Sequence, residues 1–174
     1  MIYLIDGHNT QLLSPHYQKA TIEDAVEYCS TKTVLGVDTE TEGFDFTCKK
    51  MIMFQIGDKD KQFVIDTRTV SIESLRSILE SKEIIKVFHN AKFDYKFIKR
   101  WGNIECEGIY DTFLTERVLN CGKEGVKYGL KDVCKKYLNV ELNKDVRNQF
   151  IGLTGQPFEN SQIIYGAKDV EYLL

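Results

Sequence analysis

VLGVDTE, residues 34–40, starts as an apolar run and ends in two carboxylates. A short apolar run of this kind reads as a buried strand. In a strand, residues two apart point to one face, so Asp38 and Glu40 project together. A second apolar run, IIKVFHN at 84–90, delivers the chain to Asn90 and Asp94. In SQIIYGAKDVEYLL, residues 161–174, apolar residues recur at helical spacing. Tyr165 and Asp169 are four apart there and share a helix face. Three elements can thus converge four carboxylates and one phenol on a single point.

Carboxylates held that close repel, and one stays protonated unless cations are bound. Oxygen donors without His or Cys suit Mg2+ or Mn2+ rather than Zn2+. Two such ions, about 3.5–4 Å apart, can activate a water and stabilise a leaving oxygen in an in-line displacement at phosphorus.

The 174 residues suffice for one domain with a sizeable core. Hydrophobic content of 43% and charged content of 28% are ordinary for a globular chain. The formal net charge of -3 gives no global basic field, but local patches and bound cations can still attract a polyanion. The five cysteines are odd in number and lack a CxxC spacing, which predicts reduced, mostly buried thiols. His8, His16 and His89 are not spaced as zinc ligands. No apolar stretch approaches the ~20 residues that cross a bilayer. The start, MIYLIDGHN, lacks the basic end and sustained apolar core of a signal peptide. The expected setting is cytoplasmic, with no membrane partner.

Residues 1–33 read as an extension holding a strand at 2–5 and an amphipathic helix at 21–32, with Thr21 as its N-cap and Asp24 close by. Residues 34–174 read as the main domain. Strands are expected at 34–38, 51–57 and 62–66, the last two joined as a hairpin by DKDK. A helix at 72–79 leads to a strand at 84–88, and helices follow at 93–101, 112–119, 130–138 and 161–174. Strands followed by helices indicate an α/β layer fold with a mixed sheet. Residues 139–160 read as a long loop. The chain stops inside the last helical pattern without a C-cap signal, so it is expected to be cut from a longer protein.

Three motifs carry a family resemblance: VDTETEGFD at 37–45, HNAKFD at 89–94, and YGAKDV at 165–170 preceded by PFENSQII. In this order they resemble the DEDD superfamily of 3′–5′ exonucleases in its tyrosine form, over residues 34–174. The resemblance implies a ribonuclease-H-like mixed sheet flanked by helices. No histidine follows His89, which disfavours the histidine subclass. Gly166 stands where the family commonly has alanine. YDTFLTERVLNCG and GLKDVCKKYLNVELNKDVRNQFIG resemble the proofreading domain of family A DNA polymerases. Ribonuclease D and the exonuclease domains of some RecQ-type helicases share the three motifs.

The resemblance implies roles. Asp38 would bridge two Mg2+ or Mn2+ ions, Glu40 and Asp169 would hold the first, and Asp94 would support the second. Tyr165 would orient the attacking water. Thr39, Phe44, Asn90 and Phe93 would contact substrate, with Phe44 wedged between the last two bases, Asn90 on the terminal nucleotide's backbone and Phe93 on its sugar or base. For Phe44 the competing reading is a core side chain. Asp111 reads as a helix N-cap. Lys123, Lys127, Lys131 and Lys135 recur every four residues, as a solvated helix face or a phosphate-tracking stripe. LIDGHN resembles the opening of 5′-nuclease domains but reads better as a plain strand and turn. The expected activity is metal-dependent removal of nucleoside 5′-monophosphates from single-stranded or frayed DNA 3′ ends, with a polymerase module in the same chain. The alternatives are a ribonuclease D-like exoribonuclease and a non-catalytic nucleic-acid-binding domain.

Overall fold

The computed structural model describes residues 1–8, 14–142, 146–153 and 155–174. Its strands are β1 (Ile2–Ile5), β2 (Tyr17–Lys19), β3 (Val34–Thr41), β4 (Met51–Gly57), β5 (Gln62–Asp66), β6 (Ile85–Phe88) and β7 (Ile109–Asp111). They form one sheet in the order β2-β1-β5-β4-β3-β6-β7. The β3/β4 and β4/β5 pairs are antiparallel and the other pairs parallel. The α-helices are α1 (Ile22–Ser30), α2 (Arg76–Leu79), α3 (Ala91–Phe97), α4 (Thr112–Leu119), α5 (Leu130–Leu138) and α6 (Asn160–Glu171). This is the expected α/β architecture, and the first 33 residues contribute β1, β2 and α1 to it.

The alternation of β3 explains the two-sided core. Leu35 and Val37 join Phe54, Ile56 and Ile65 on the face covered by α1, α2 and α3. On the other face Met53 and Val64 pack with Ile163 and Ala167 of α6 and with Phe150. Helix α6 lies close to β3 because residue 36 is glycine: a Cβ there would stand 2.8 Å from the carbonyl oxygen of Val170. The Thr21–Asp24 capping box starts α1 as read. Lys86 is fully buried on β6, and its Nζ donates to the carbonyl oxygens of Ile78, Ser81 and Ile84. It thereby satisfies acceptors at and beyond the end of α2 that burial would leave without water, and that burial lowers its pKa.

Several expectations are corrected. The helix expected at 93–101 is α-helical from Ala91 to Phe97 and then widens into a π-turn over Ile98–Gly102, ended by Asn103 in the left-handed region at φ 52°. The segment at 72–79 begins as a 3-10 turn, Glu73–Leu75, before α2. Strands β2 and β7 were not expected: each has three residues and too little sequence to show alternation. A 3-10 turn, Arg147–Phe150, interrupts the stretch read as loop. The last helix ends at Glu171, and the N–H of Leu173 turns back to Val170, so the final turn does not continue to residue 174. The four-lysine stripe does not form. Gly122 and Gly125 take left-handed φ values of 80° and 72°, and only Lys131 and Lys135 lie on α5.

All five cysteines are free thiols: Cys29, Cys106 and Cys134 are buried, while Cys48 and Cys121 are exposed. Burial pushes the Cys29 and Cys106 thiols up to about 12. At the N-terminus Asp6 is engaged by Lys19, in keeping with the strand-and-turn reading. Among the described residues, no helix is long and apolar enough to cross a membrane.

Candidate active site

The site opens where the sheet divides. β6 pairs with β3 only as far as Gly36↔Val87, and β3 then runs on to Thr41 beside β4 alone. Crevices of this kind at the carboxyl ends of parallel strands are the usual binding positions of α/β sheets. Asp38 and Glu40 point from β3 to the face under α6, where Tyr165 and Asp169 descend from one helix face. Thr39 points the other way and meets α3: its Oγ1 donates to Oδ1 of Asp94 at 2.6 Å.

Oxygens of Asp38, Glu40 and Asp169 lie within 4.8 Å of one another. Asp94 stands beside this trio rather than within it. Burial raises the Asp38 pKa well above its ordinary value, and the charges of Asp94, Asp169 and Glu40 push it further, against the Thr39 N–H. A cluster in which burial and mutual repulsion oppose ionisation fits divalent cations, and its all-oxygen donor set fits hard ones. Burial, followed by the charges of Asp169, Glu40 and Asp38, also raises the Tyr165 phenol.

All nine residues singled out in the sequence line one cavity of about 540 Å³. Phe44 is 72% exposed at its rim, 6.4 Å from the Phe93 ring and steeply inclined to it, so it is not a core side chain. Asn90 opens α3 in the left-handed region at φ 69°. The Asp111 carboxylate holds that corner by accepting from the N–H groups of Asn90 and Ala91. It also caps α4 as expected, accepting from Phe113 and Leu114. The hydroxyl of Thr39 is committed to Asp94, which makes its side chain a support for an acid.

Sequence reasoning did not single out His89, Phe113, Leu130, Leu142, Asn148 and Ile151, which also line the cavity. His89 Nδ1 is 2.9 Å from Thr112 Oγ1, and Phe113 stands edge-on to its ring at 5.7 Å. The only signal for His89 was its place beside Asn90. Leu142 and Asn148 sit in a stretch without periodicity, where the family resemblance of the surrounding segment was the signal.

Residues 15–174 match the 3'-5' exonuclease family, and the chain belongs to it. It is 28% identical over 150 residues to DNA polymerase I of Aquifex aeolicus (strain VF5), an alignment covering 86% of this chain and 24% of that protein. It is 27% identical over 141 residues to exosome complex component 10 of Homo sapiens, covering 80% of this chain and 15% of the relative. The chain thus spans less than a quarter of the length of either. The fold also matches the crystal structure of Escherichia coli RNase D, an exoribonuclease involved in structured RNA processing, at a TM-score of 0.75 and 21% identity, covering 87% of this chain and 40% of that one. The chain is therefore a 3′–5′ exonuclease-family domain of the DEDD superfamily with a ribonuclease-H-like sheet.

Proposed function

We propose that this chain hydrolyses the terminal phosphodiester of single-stranded or frayed DNA 3′ ends and releases nucleoside 5′-monophosphates. The observation that carries this reading is the convergence of Asp38, Glu40 and Asp169 within 4.8 Å, in the same cavity as Tyr165 and Phe44. Two Mg2+ or Mn2+ ions, held by Asp38, Glu40, Asp169 and Asp94, would supply Lewis-acid stabilisation of the attacking and leaving oxygens.

The chain's own residues do the rest. Tyr165 keeps its proton, because burial and the surrounding acids oppose phenolate; its hydroxyl positions the water by a hydrogen bond and does not act as its base. Phe44 and Phe93 offer aromatic faces to unstacked bases, a contact tolerant of sequence. Asn90 holds the terminal nucleotide at the head of α3. Similarity to a DNA polymerase I supports DNA as substrate and a polymerase module in the same protein. Similarity to proteins named ribonuclease D favours a second reading, an exoribonuclease.

The test uses 5′-labelled DNA and RNA strands of one sequence, and matched and mismatched primer duplexes, with Mg2+ present. Faster shortening of DNA, and of mismatched over matched ends, with nucleoside 5′-monophosphates as products, is expected, because a mismatch has already lowered the cost of opening the end. Preference for RNA moves the assignment to the second reading. Faster cutting of fully paired ends contradicts both.

A further inference from the structure

β4 is buried along its whole length, MIMFQIG. Within this run Gln55 is fully buried, and neither its Nε2 nor its Oε1 has a hydrogen-bond partner among the described residues. A buried amide without a partner opposes folding. Its presence here calls for a cause outside the stability of the fold.

Its surroundings supply one. In the antiparallel register Gln55 is directly opposite Asp38, so the two side chains leave the sheet on one face. Such partners have Cβ atoms about 4.5–5.5 Å apart, within reach of a glutamine amide. From above, α6 presses on the same amide: a Cβ on Gly166 would stand 2.5 Å from Gln55 Nε2 and 2.9 Å from Met53 Sδ. Gln55 is therefore clasped between Asp38, its strand partner, and the helical turn that carries Tyr165 and Asp169. An alanine at 166 would bring its Cβ against that amide.

We propose that Gln55 is a positioning residue for Asp38, its Nε2 donating to the Asp38 carboxylate in the metal-loaded enzyme, and that Gly166 leaves the amide room to do so. The inference rests on Asp38 being a metal ligand. In the metal-free protein neither polar atom of the Gln55 amide has a hydrogen-bond partner among the described residues. The amide, opposite Asp38 in the register and confined by Gly166, would fix the orientation of that carboxylate when it ligates a cation.

Gln55→Met keeps the length of the side chain and removes the donor. Three quantities are measured: melting temperature without metal, Mn2+ affinity by calorimetry, and cleavage rate. The metal-free variant should melt at or above the wild-type temperature, since an idle buried amide has gone. Its Mn2+ affinity should fall about 10- to 100-fold, the usual effect of losing a partner that orients a metal ligand. Gly166→Ala should weaken Mn2+ binding in the wild-type background and add little in the Gln55→Met background, because the crowded amide is then absent. Wild-type Mn2+ affinity in Gln55→Met overturns the proposal. So does a clearly lowered metal-free melting temperature, which means the amide already serves the fold. If Asp38→Ala itself retains Mn2+ binding and cleavage, the active-site reading fails instead.

Discussion

Thr39 Oγ1 donates to Asp94 Oδ1 at 2.6 Å, from the face of β3 opposite to the one carrying Asp38 and Glu40. One strand therefore serves the site from both faces, aiming two acids toward α6 and fixing a third from α3. Asp94 is 3% exposed, so its carboxylate has little water to replace that donor. Thr39→Val preserves shape and removes the hydroxyl. Hydrogen bonds to charged groups are worth about 1.5–3 kcal/mol, so the cleavage rate should fall about 10-fold or more. Single-turnover rates at fixed Mg2+ check this, and an unchanged rate would show that Asp94 is held without Thr39.

Asp111 is the joint between two helices. Its carboxylate accepts from Asn90 and Ala91 at the start of α3, and from Phe113 and Leu114 at the start of α4. Losing one N-cap costs about 0.5–2 kcal/mol. Asp111→Ala should therefore destabilise by about 1–3 kcal/mol in chemical denaturation. It should also slow cleavage, because Asn90 and Asp94 ride on α3. Loss of stability with full activity would mean that α3 is placed by its packing alone.

Asp58 sets an acid limit on stability. Burial alone would raise its pKa, but the Lys32 ammonium, the N–H groups of Lys61 and Asp60 and the Tyr28 hydroxyl outweigh it and hold the carboxyl at about 2. Because the folded pKa lies below the ordinary value of 3.8, the contribution is complete above pH 4 and disappears as pH falls toward 2. Asp58→Asn should cost roughly 2 kcal/mol at pH 7, and the gap from wild type should close across that acid window. Denaturation at a series of pH values checks it. A gap independent of pH would assign the loss to packing.

What the sequence made legible follows from where the physics is local. Period two in 34–40 placed Asp38 and Glu40 together, and period 3.6 in 161–174 placed Tyr165 with Asp169; both relations need only one element. The caps at Thr21 and Asp111 were readable for the same reason. What escaped was set by pairing between distant segments. Three-residue β7 exists because β6 offers it an edge. Gln55 reads as one more member of an apolar strand until the register sets it opposite Asp38 and α6 sets Gly166 upon it. The lysine period misled because Gly125, at positive φ, and the extended Gly129 break the helix that the spacing implied.

Tyr165 separates positioning from proton transfer. The phenol is half-buried, packs 6.1 Å from the Phe150 ring, and has its pKa raised by burial and by Asp169, Glu40 and Asp38. It stays protonated across the working range, so the rate profile between about pH 6 and 9 should carry no tyrosine limb. Tyr165→Phe keeps the ring and its packing and removes one hydrogen bond, worth about 1–3 kcal/mol for a positioned group, or roughly 5- to 150-fold in rate. Asp38→Ala should cost more than ~100-fold, since it takes away a ligand shared between the ions. The two variants are compared at saturating Mg2+ under single-turnover conditions, so that product release does not mask the chemical step. Calorimetric Mn2+ affinity should hardly change in Tyr165→Phe and should collapse in Asp38→Ala. A Tyr165→Phe enzyme at wild-type rate would reduce the phenol to a packed aromatic. One as inactive as Asp38→Ala, with its metal affinity intact, would give the hydroxyl a part in the proton transfer itself.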